Sequence, residues 1–327
     1  MAVPMVELWR GGILESTHLG HAVVCDAAGQ VVQAWGDPAR VIFPRSSCKM
    51  IQALPMLESG AADALTDAHI ALSCASHQGA ALHVNMATRW LADLGLGETD
   101  LRCGSHEPYD RTERDRLIKT DTSPCQFHNN CSGKHSGFLT AVQHMKVGPE
   151  YTEIDHPLQR AIKTATEEVT GEDSTGYGID GCSAPNFTTS VQGLARAMAR
   201  FAGANPDGDA RARAMHRLTR SMAAYPDLVA GEGRACTELM RAMGGRVSIK
   251  TGAEAVFVAI IPEQKLGIAL KIEDGNSRAS EAALVSILTR LGVLNAADPA
   301  AQKRLPAPQI NCNGRNVGEL RLSSNFA

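Results

Sequence analysis

The distribution of apolar residues along the chain predicts strands near both ends. Continuous or alternating apolar stretches bounded by turn residues are typical of strands. They occur at 6–10, 21–25 and 31–35, and again at 246–250, 255–261 and 266–272. Between the second and third stretches, 26–30 contains a glycine and predicts the turn of a hairpin.

The middle of the chain, from about 61 to 240, predicts helices. Its apolar residues follow the 3.6-residue spacing of amphipathic helices. The clearest segments are 80–94, 136–145, 157–170 and 191–201, and a further helix is predicted at about 277–291. A helix is also expected from Met50 to Gly60, whereas the polar, proline-containing residues after Asp298 predict a loosely packed extension.

This order of elements predicts an α/β (α+β) fold. The simplest way to pair the edge N–H and C=O groups of strands from both ends is one mixed, largely antiparallel sheet. We expect it to be built from about 6–40 and 246–272. The helical middle, about 61–240, then packs around the sheet. We expect a single domain over 1–327, in which the segment after the first strands lies near the strand that ends at about 250.

Composition narrows the classes of function. The chain has 327 residues, 44% of them apolar, enough for a substantial core. Its formal net charge of -3, without a large block of one sign, argues against nucleic acid as a partner. No apolar run approaches membrane-spanning length, so no membrane partner is expected. Nine cysteines without regular spacing, and no visible secretory signal, favour free thiols and a cytoplasmic location.

Ser46 and Lys49 form the first candidate for catalytic chemistry. A serine three residues before a lysine on a helix shares a face with it, so a neutral amine could take the hydroxyl proton. Ser47 lies two residues from Lys49 and would point elsewhere. The alternative is chance, since one such spacing in a chain of this composition has about even odds.

Lys250, followed by Thr251 and Gly252, strengthens the first candidate. Ser-Lys acylating enzymes place a second lysine of this kind, at the start of an edge strand, on the far wall of the pocket. The expected order of elements brings this strand near Ser46.

Three loops contain further reactive residues. The densest, 128–137, has His128, Cys131, Lys134 and His135 at the entrance of a predicted helix. A second loop, 176–185, contains Asp180, Cys182 and three glycines, which predict unusual backbone angles. Cys131 and Cys182 together could bind zinc, and spacing alone nominates His128 or His135 as the third ligand. A structural role for buried cysteines is the more common alternative.

The third loop, 73–79, offers Ser76 as a second hydroxyl for the pocket. Its alternative role is the N-cap of the helix that begins near Ala80. Arg45, directly before Ser46, could bind a substrate carboxylate with two parallel hydrogen bonds, or could simply be a surface residue.

Taken together, five segments resemble the asparaginase II family, the Rhizobium etli-type L-asparaginases. They are Phe43 to Lys49, Ser76-His77, Cys131 to His135, Asp180 to Cys182 and Lys250 to Glu254. The resemblance extends over about 6–290 in the right order, and the Cys-Ser-Gly-Lys-His block is its most specific part.

The resemblance implies a single catalytic domain with a fold like those of serine β-lactamases and glutaminases, and hydrolysis of L-asparagine to L-aspartate and ammonia. It implies two catalytic pairs, Ser46 with Lys49 and Ser76 with Lys250. It also implies a zinc site of Cys131, Lys134 and Cys182, in conflict with the histidine ligand favoured by spacing. Asp180 would lie just outside that site, and the substrate-binding candidates are Arg45, Asn130, His135 and Asp180. A homodimer is a further family expectation.

Three other functions remain open on the sequence. A glutaminase acts on a substrate one methylene longer, which a pocket discriminates by only about 1–3 kcal/mol. A penicillin-interactive or β-lactamase-like Ser-Lys acylase would need a Ser-Asp-Asn element that the chain lacks. A non-catalytic, zinc-dependent amino-acid binding protein would bind a ligand without turnover.

Overall fold

The computed structural model of the chain describes residues 1–326. The strands are β1 (Val3–Arg10), β2 (Ile13–Asp26), β3 (Val31–Trp35), β4 (Val41–Ile42), β5 (Tyr177–Ile179), β6 (Pro185–Phe187), β7 (Thr189–Ser190), β8 (Ser248–Thr251), β9 (Val256–Ile261), β10 (Leu266–Ile272), β11 (Pro308–Ile310) and β12 (Asn316–Leu322). The helices are α1 (Lys49–Gln52), α2 (Leu54–Glu58), α3 (Asp67–Ser73), α4 (Ala81–Asp93), α5 (Arg111–Lys119), α6 (Ser132–Met145), α7 (Pro157–Thr170), α8 (Val191–Ala202), α9 (Ala210–Ala224), α10 (Pro226–Val229), α11 (Ala235–Ala242), α12 (Ser277–Arg290) and α13 (Pro299–Gln302).

The chain divides into two compact units. The first comprises Met1–Ser47, Ser190–Gly203 and Glu238–Ala327, and the second comprises Cys48–Thr189 and Ala204–Thr237. That the whole chain forms one catalytic domain stays a prediction.

The first unit contains an antiparallel sheet of eight strands in the order β11-β12-β1-β2-β10-β9-β8, with β3 also paired to β2. In this order, β1 and β2 lie between strands from the later part of the chain, with β12 on one side and β10 on the other. Helices α8 and α12 pack on β9 and β10. All six residues of β9 are buried, as expected for a strand covered on both faces. The predicted α/β fold with a largely antiparallel sheet made from both termini is therefore confirmed.

The last strands correct one expectation. The residues after Asp298 are not a loose extension, because β12 pairs with β1 over the register from Val6↔Leu322 to Trp9↔Glu319. Prolines, asparagines and glycines lie in the turns around β11 and β12 and obscure the short strand pattern between them. The edge of β1 thus gains a partner that the sequence pattern did not predict.

The second unit is mainly helical. Helix α7 covers the predicted 157–170, with Pro157 in its first turn and Gly171 in the left-handed conformation at its end. The helix expected from Met50 to Gly60 is interrupted between α1 and α2, because Pro55 has no N–H with which to continue the helical ladder. Helix α6 begins at Ser132, one turn earlier than its apolar pattern predicts.

Across residues 1–326, none of the helices combines the length and the apolar character that crossing a membrane requires.

Gly267 determines how closely α8 packs on β10 within the first unit. A Cβ atom at this position would lie 2.0 Å from the Ala199 nitrogen and 2.4 Å from the Ala195 carbonyl oxygen. Since both are backbone atoms of a helix, neither can move alone. We expect Gly267→Ala to lower the free energy of unfolding by about 3 kcal/mol, the upper end of the usual cost of overpacking.

Urea denaturation of the purified protein measures this effect. Gly148→Ala is the matched control, since a Cβ there meets no atom within 4 Å, and it should change the stability by less than about 0.5 kcal/mol. Equal stability of the two variants would contradict the packing account.

Candidate active site

Lys49 is the centre of a buried polar cluster in the second unit. It is the first residue of α1, directly after the 3-10 helix Arg45–Cys48, and its side chain is 1% exposed. Its Nζ donates to Ser76 Oγ at 3.1 Å, to Cys131 Sγ at 3.1 Å and to the Ala75 carbonyl oxygen. A buried amine requires partners of this kind, since an unpaired one would be costly to remove from water.

The backbone around Ser76 is fixed by two hydrogen bonds. The Ser76 N–H donates to the Val229 carbonyl oxygen at 2.9 Å, and the His77 N–H donates to that of Asn130 at 3.2 Å. Ser73, one turn earlier, donates its hydroxyl to the Ile70 carbonyl oxygen within α3. The N-cap of α4 is Ala80, so Ser76 does not cap that helix, and its hydroxyl accepts from Lys49 instead.

Two glycines let the start of α6 approach the end of α3. A Cβ on Gly133 would lie 2.4 Å from the Leu72 carbonyl oxygen, and one on Gly137 would lie 3.2 Å from the Ser73 Cβ. Residues four apart share a helix face, so both glycines present the same bare side to α3. This close packing brings Cys131, at the N-cap of α6, to Lys49.

Cys182 reaches the same cluster from the β5–β6 hairpin. Its loop is closed by hydrogen bonds between Asp180 and both Ser183 and Ala184. The positive φ falls on Ser183, at 66°, and not on the glycines at 176, 178 and 181 that had suggested unusual backbone angles. The buried Cys182 thiol is hydrogen-bonded to Cys131 and accepts from Lys134 Nζ at 3.0 Å.

The two thiols and Lys134 form a charged group. The hydrogen bond to Cys131 and the charge of Lys134 hold the pKa of Cys182 well below its usual value. The same hydrogen bond, together with burial, raises the pKa of Cys131 well above it. Burial alone would lower the pKa of Lys134, but the two cysteines outweigh it and raise that pKa. These shifts favour the thiolate form of Cys182 and the ammonium form of Lys134.

His135 lies beside this group. Its Nδ1 is 2.8 Å from the Tyr151 hydroxyl oxygen, and its buried Nε2 has no hydrogen-bond partner among the described residues. Burial lowers the pKa of His135 to about 4, partly offset by its interaction with Cys182. His135 is therefore a neutral ring in the interior that is hydrogen-bonded to Tyr151 and adjoins Cys182.

The donors in this cluster fit zinc. Two thiols joined by a hydrogen bond, with an amine at 3.0 Å from one of them, offer the sulfur and nitrogen ligands that zinc prefers. Within 1–326 no group of three or more His, Cys, Asp and Glu side chains could hold a metal ion, and the further donor beside the two thiols is the Lys134 amine that the family resemblance implies. His128, the other histidine nominated by spacing, faces Cys125 and Glu113 instead.

Three substrate-binding candidates of the second unit lie at or near the cluster. Asn130 Oδ1 accepts from Cys131 Sγ at 3.3 Å, and His135 adjoins Cys182 as described. Asp180 is partly exposed, and its charge acts on Lys134. The remaining candidate, Arg45, belongs to the first unit.

In the first unit, the end of β8 lies against the turn that carries Ser46. A Cβ on Gly252 would lie 2.7 Å from the Pro44 carbonyl oxygen and 3.1 Å from the Ser47 nitrogen. Lys250, two residues earlier, is 1% exposed and donates to the Thr251 carbonyl oxygen at 2.7 Å. The predicted proximity of the Lys250 strand and the Ser46 segment is thus present in the structure.

The two serines of this turn differ in their surroundings. Ser47 is buried and donates its hydroxyl to the Pro44 carbonyl oxygen at 2.7 Å, whereas Ser46 is partly exposed. Arg45, also partly exposed, has a φ of 53°, which is uncommon for a residue with a side chain. Such backbone strain is frequent at functional sites.

Sequence reasoning gave no role to two buried residues near the cluster. His77 Nε2 contacts Ser132 Oγ at 2.9 Å, and its ring stacks on His83 with 4.7 Å between centroids. Burial and the neighbouring His83 hold its pKa well below the usual value. The position of His77 directly after Ser76 was the feature of the sequence that could have indicated a role for it. Tyr151, the partner of His135, lies in a turn with no local pattern to mark it.

Comparisons with known proteins give the family. The sequence model of the L-asparaginase II family matches residues 6–322. No curated protein matches the chain.

Similar solved structures include a beta-lactamase from Mycobacterium bovis, with 13% identity, a TM-score of 0.46, and coverage of 84% of this chain and 95% of that one. A putative beta-lactamase from Bacteroides dorei has 13% identity and a TM-score of 0.45, covering 83% and 92%. Mglu in its native form has 14% identity and a TM-score of 0.44, covering 86% and 66%.

The family match spans nearly the whole chain and includes every residue of the Lys49, Cys131 and Cys182 cluster. It confirms the resemblance drawn from the sequence motifs, and it supports hydrolysis of an amide in a small molecule. This protein belongs to the L-asparaginase II family.

Proposed function

We propose that the protein is an L-asparaginase that hydrolyses L-asparagine to L-aspartate and ammonia. The observation that carries the proposal is the buried Lys49 amine, hydrogen-bonded to Ser76 and Cys131 in a chain that matches the L-asparaginase II family. A lysine buried in contact with a hydroxyl is suited to proton transfer in acyl-group chemistry.

In the proposed mechanism, Ser46 is the nucleophile. It lies three residues before Lys49, in the 3-10 helix Arg45–Cys48 that leads directly into α1, so the two residues are about one helical turn apart. The Ser46 hydroxyl oxygen bonds to the side-chain amide carbon of the substrate as its proton passes to Lys49, which acts in its neutral, unprotonated form. The carbon–nitrogen bond then breaks, and water later hydrolyses the resulting ester to aspartate and restores the serine.

Ser76 provides the route for the proton to the leaving group. Its hydroxyl accepts from Lys49 Nζ, so a proton taken by the amine can be relayed through Ser76 to the departing nitrogen, which leaves as ammonia. Lys250, on the β8 strand that ends beside the Ser46 turn, is the second lysine of the proposed catalytic set.

Four residues are proposed to bind the substrate. Arg45, next to the nucleophile, suits the α-carboxylate, since a guanidinium can make two parallel hydrogen bonds to it. Asp180 suits the α-ammonium group by charge. Asn130 and His135, which flank Cys131 and Cys182, complete the set with one amide and one neutral ring nitrogen.

Zinc is proposed to be held by Cys131, Lys134 and Cys182, with the lysine in its unprotonated form. When bound, it would orient the amino or carboxylate group of the substrate, because a serine nucleophile is already available. Binding would require Lys134 to lose the proton that the thiolate now stabilises, so zinc affinity should increase with pH.

The proposal predicts the effect of removing each hydroxyl. Ammonia release is measured with L-asparagine and with L-glutamine for the wild type, Ser46→Ala, Ser76→Ala and Ser47→Ala. We expect kcat/KM for asparagine to exceed that for glutamine by roughly 10–200-fold, the range for one methylene. Ser46→Ala should lower kcat about a thousandfold or more, since it removes the nucleophile.

Ser47→Ala is the matched control, because its hydroxyl is bound to the Pro44 carbonyl oxygen, and it should retain most of the activity. If Ser46→Ala kept full turnover and Ser76→Ala lost it, the nucleophile would be Ser76 and not Ser46. Absence of ammonia release from either amide by the wild type, or labelling of Ser46 by a β-lactam instead, would overturn the proposed function.

Zinc removal gives a second prediction. We expect one zinc ion per chain by elemental analysis in the wild type and in Cys312→Ser, whose cysteine is exposed and outside the cluster, and none in Cys182→Ser. After chelation, KM for asparagine should increase by a larger factor than kcat falls, since the ion orients the substrate. Complete loss of kcat at saturating asparagine, with KM unchanged, would contradict the orienting role.

A further inference from the structure

A second group of reactive side chains lies in the second unit, outside the proposed active site. Cys125 Sγ is 3.2 Å from His128 Nδ1, and His128 Nε2 is 3.3 Å from Glu113 Oε1. The three residues are a thiol, an imidazole and a carboxylate joined in sequence by hydrogen bonds. Neither Cys125 nor Glu113 has a part in the proposed amide hydrolysis.

The hydrogen bonds fix the direction in which a proton would move. The Cys125 backbone N–H also donates to His128 Nδ1, at 3.0 Å, so Nδ1 is the unprotonated nitrogen of the ring. Nε2 therefore carries the hydrogen and donates it to Glu113. Nδ1 is thus an acceptor shared by the Cys125 N–H and the thiol, and the thiol proton can move to it as the hydrogen bond from the N–H is released, as it does to the base of a nucleophile–base–carboxylate triad.

Glu113 is held in place as an ionised carboxylate. Both of its oxygens accept from Arg116, at 2.6 to 3.1 Å, and its N–H donates to the Asp110 carboxylate at 2.8 Å. These bonds, first of all the one from Arg116, lower the pKa of Glu113. A fixed carboxylate at Nε2 stabilises the imidazolium that forms when His128 takes a second proton.

The arrangement suits proton transfer and not metal binding. Cys125 and Glu113 contact opposite nitrogens of the ring, so one ion could not contact all three side chains. This agrees with the lack of a three-ligand group among residues 1–326.

Cys125 also differs from the other cysteines in its exposure. Seven of the nine are buried, while Cys125 is partly exposed and Cys312 is exposed. Partial burial raises the pKa of the Cys125 thiol, so at neutral pH it is protonated and its reaction depends on a base.

An open cavity of about 340 Å³ begins immediately before Cys125 in the chain. It is lined by Thr122, Ser123 and Pro124 and by residues of α5 and the loop before it, among them Glu107 and Arg114. A cavity with one guanidinium and two carboxylates, those of Glu107 and Asp121, suits a small molecule that carries both carboxylate and ammonium groups.

We propose that Cys125 is a modification site, at which His128 acts as general base and Glu113 as a positioning residue for exchange with a small zwitterionic peptide disulfide. The thiol proton passes to His128 Nδ1, and the thiolate attacks one sulfur of the disulfide. The disulfide's S–S bond breaks as the new one to Cys125 forms, and the leaving thiolate takes the proton from His128. The incoming disulfide is the oxidant, and one thiol is released for each thiol consumed.

Oxidised glutathione is the probe for the test. The full-length protein is incubated with it at neutral pH, samples are quenched over time, and peptide mass spectrometry measures the adducts on Cys125 and Cys312. Cys312 is the internal reference within the same molecule. In the folded wild type, we expect the ratio of the Cys125 rate to the Cys312 rate to exceed the ratio measured in concentrated urea, where His128 no longer adjoins the thiol.

Two substitutions test the roles of the partners. His128→Asn keeps an acceptor for the Cys125 N–H but cannot serve as a base, and it should lower the Cys125 rate at least about tenfold relative to Cys312. Glu113→Gln keeps a hydrogen-bond acceptor for His128 but removes the charge, and a smaller decrease of about threefold to tenfold is expected. A merely structural role for either residue would change the unfolding temperature without changing the ratio of rates.

The outcomes decide the proposal even if a variant does not fold. A folded wild type whose ratio is no higher than in urea, or that forms adducts on Cys312 alone, overturns it. So does a folded His128→Asn variant with an unchanged ratio. A raised ratio in the wild type, reduced by either substitution, supports it.

Discussion

Burial of the Lys49 amine is the constraint on which the arrangement of the second unit depends. An amine that is 1% exposed must find acceptors inside the protein, and it has them in Ala75, Ser76 and Cys131. These acceptors come from the segment after α3 and the turn before α6. Both segments must therefore meet at the start of α1, and Gly133 makes the required closeness of α6 to α3 sterically possible. The buried amine and a close contact between two helices thus occur together.

A second lysine extends the same network. Cys131 accepts from Lys49 and is hydrogen-bonded to Cys182, which in turn accepts from Lys134. Two amines and two thiols form one buried chain of hydrogen bonds. The protonation state of each group in this chain depends on that of its neighbour. A substitution at Cys182 would consequently change the hydrogen bonding of Cys131 and, through it, that of Lys49. This coupling links the proposed metal ligands to the proposed catalytic base without requiring contact between them.

Patterns among residues close in sequence predicted the helices and strands that short-range preferences determine. The period of apolar residues gave α7 and the central strands, because proline and glycine mark the ends of that helix and a continuous apolar run marks β9. The reactive residues that meet in the Lys49 cluster were also candidates, since serine, lysine and cysteine stand out in polar loops. Ser76 was the candidate for a second hydroxyl, and its contact with Lys49 Nζ distinguishes it from Ser73, whose hydroxyl donates to the Ile70 carbonyl oxygen.

Features that depend on distant contacts were not predictable in this way. The pairing of β12 with β1 joins the first and last strands of the sheet along the chain. The short, largely polar sequence of β12 does not by itself predict a strand. The positive φ angles of Arg45 and Ser183 occur at residues that have no local preference for them. The glycines at 133 and 137 are typical of a helix entrance or loop, whereas their role is to admit the backbone of α3.

The most direct measurement of the central claim is ammonia release from L-asparagine by Lys49→Met. Methionine has nearly the length of lysine without its amine, so it fills the same space while removing proton transfer and the three hydrogen bonds that the amine donates. The account predicts a fall in kcat of about a thousandfold or more, with a loss of roughly 1–3 kcal/mol in the free energy of unfolding. Lys163→Met, at a half-exposed lysine of α7, should change neither. A Lys49→Met enzyme that folds and keeps its kcat to within about tenfold would contradict the account.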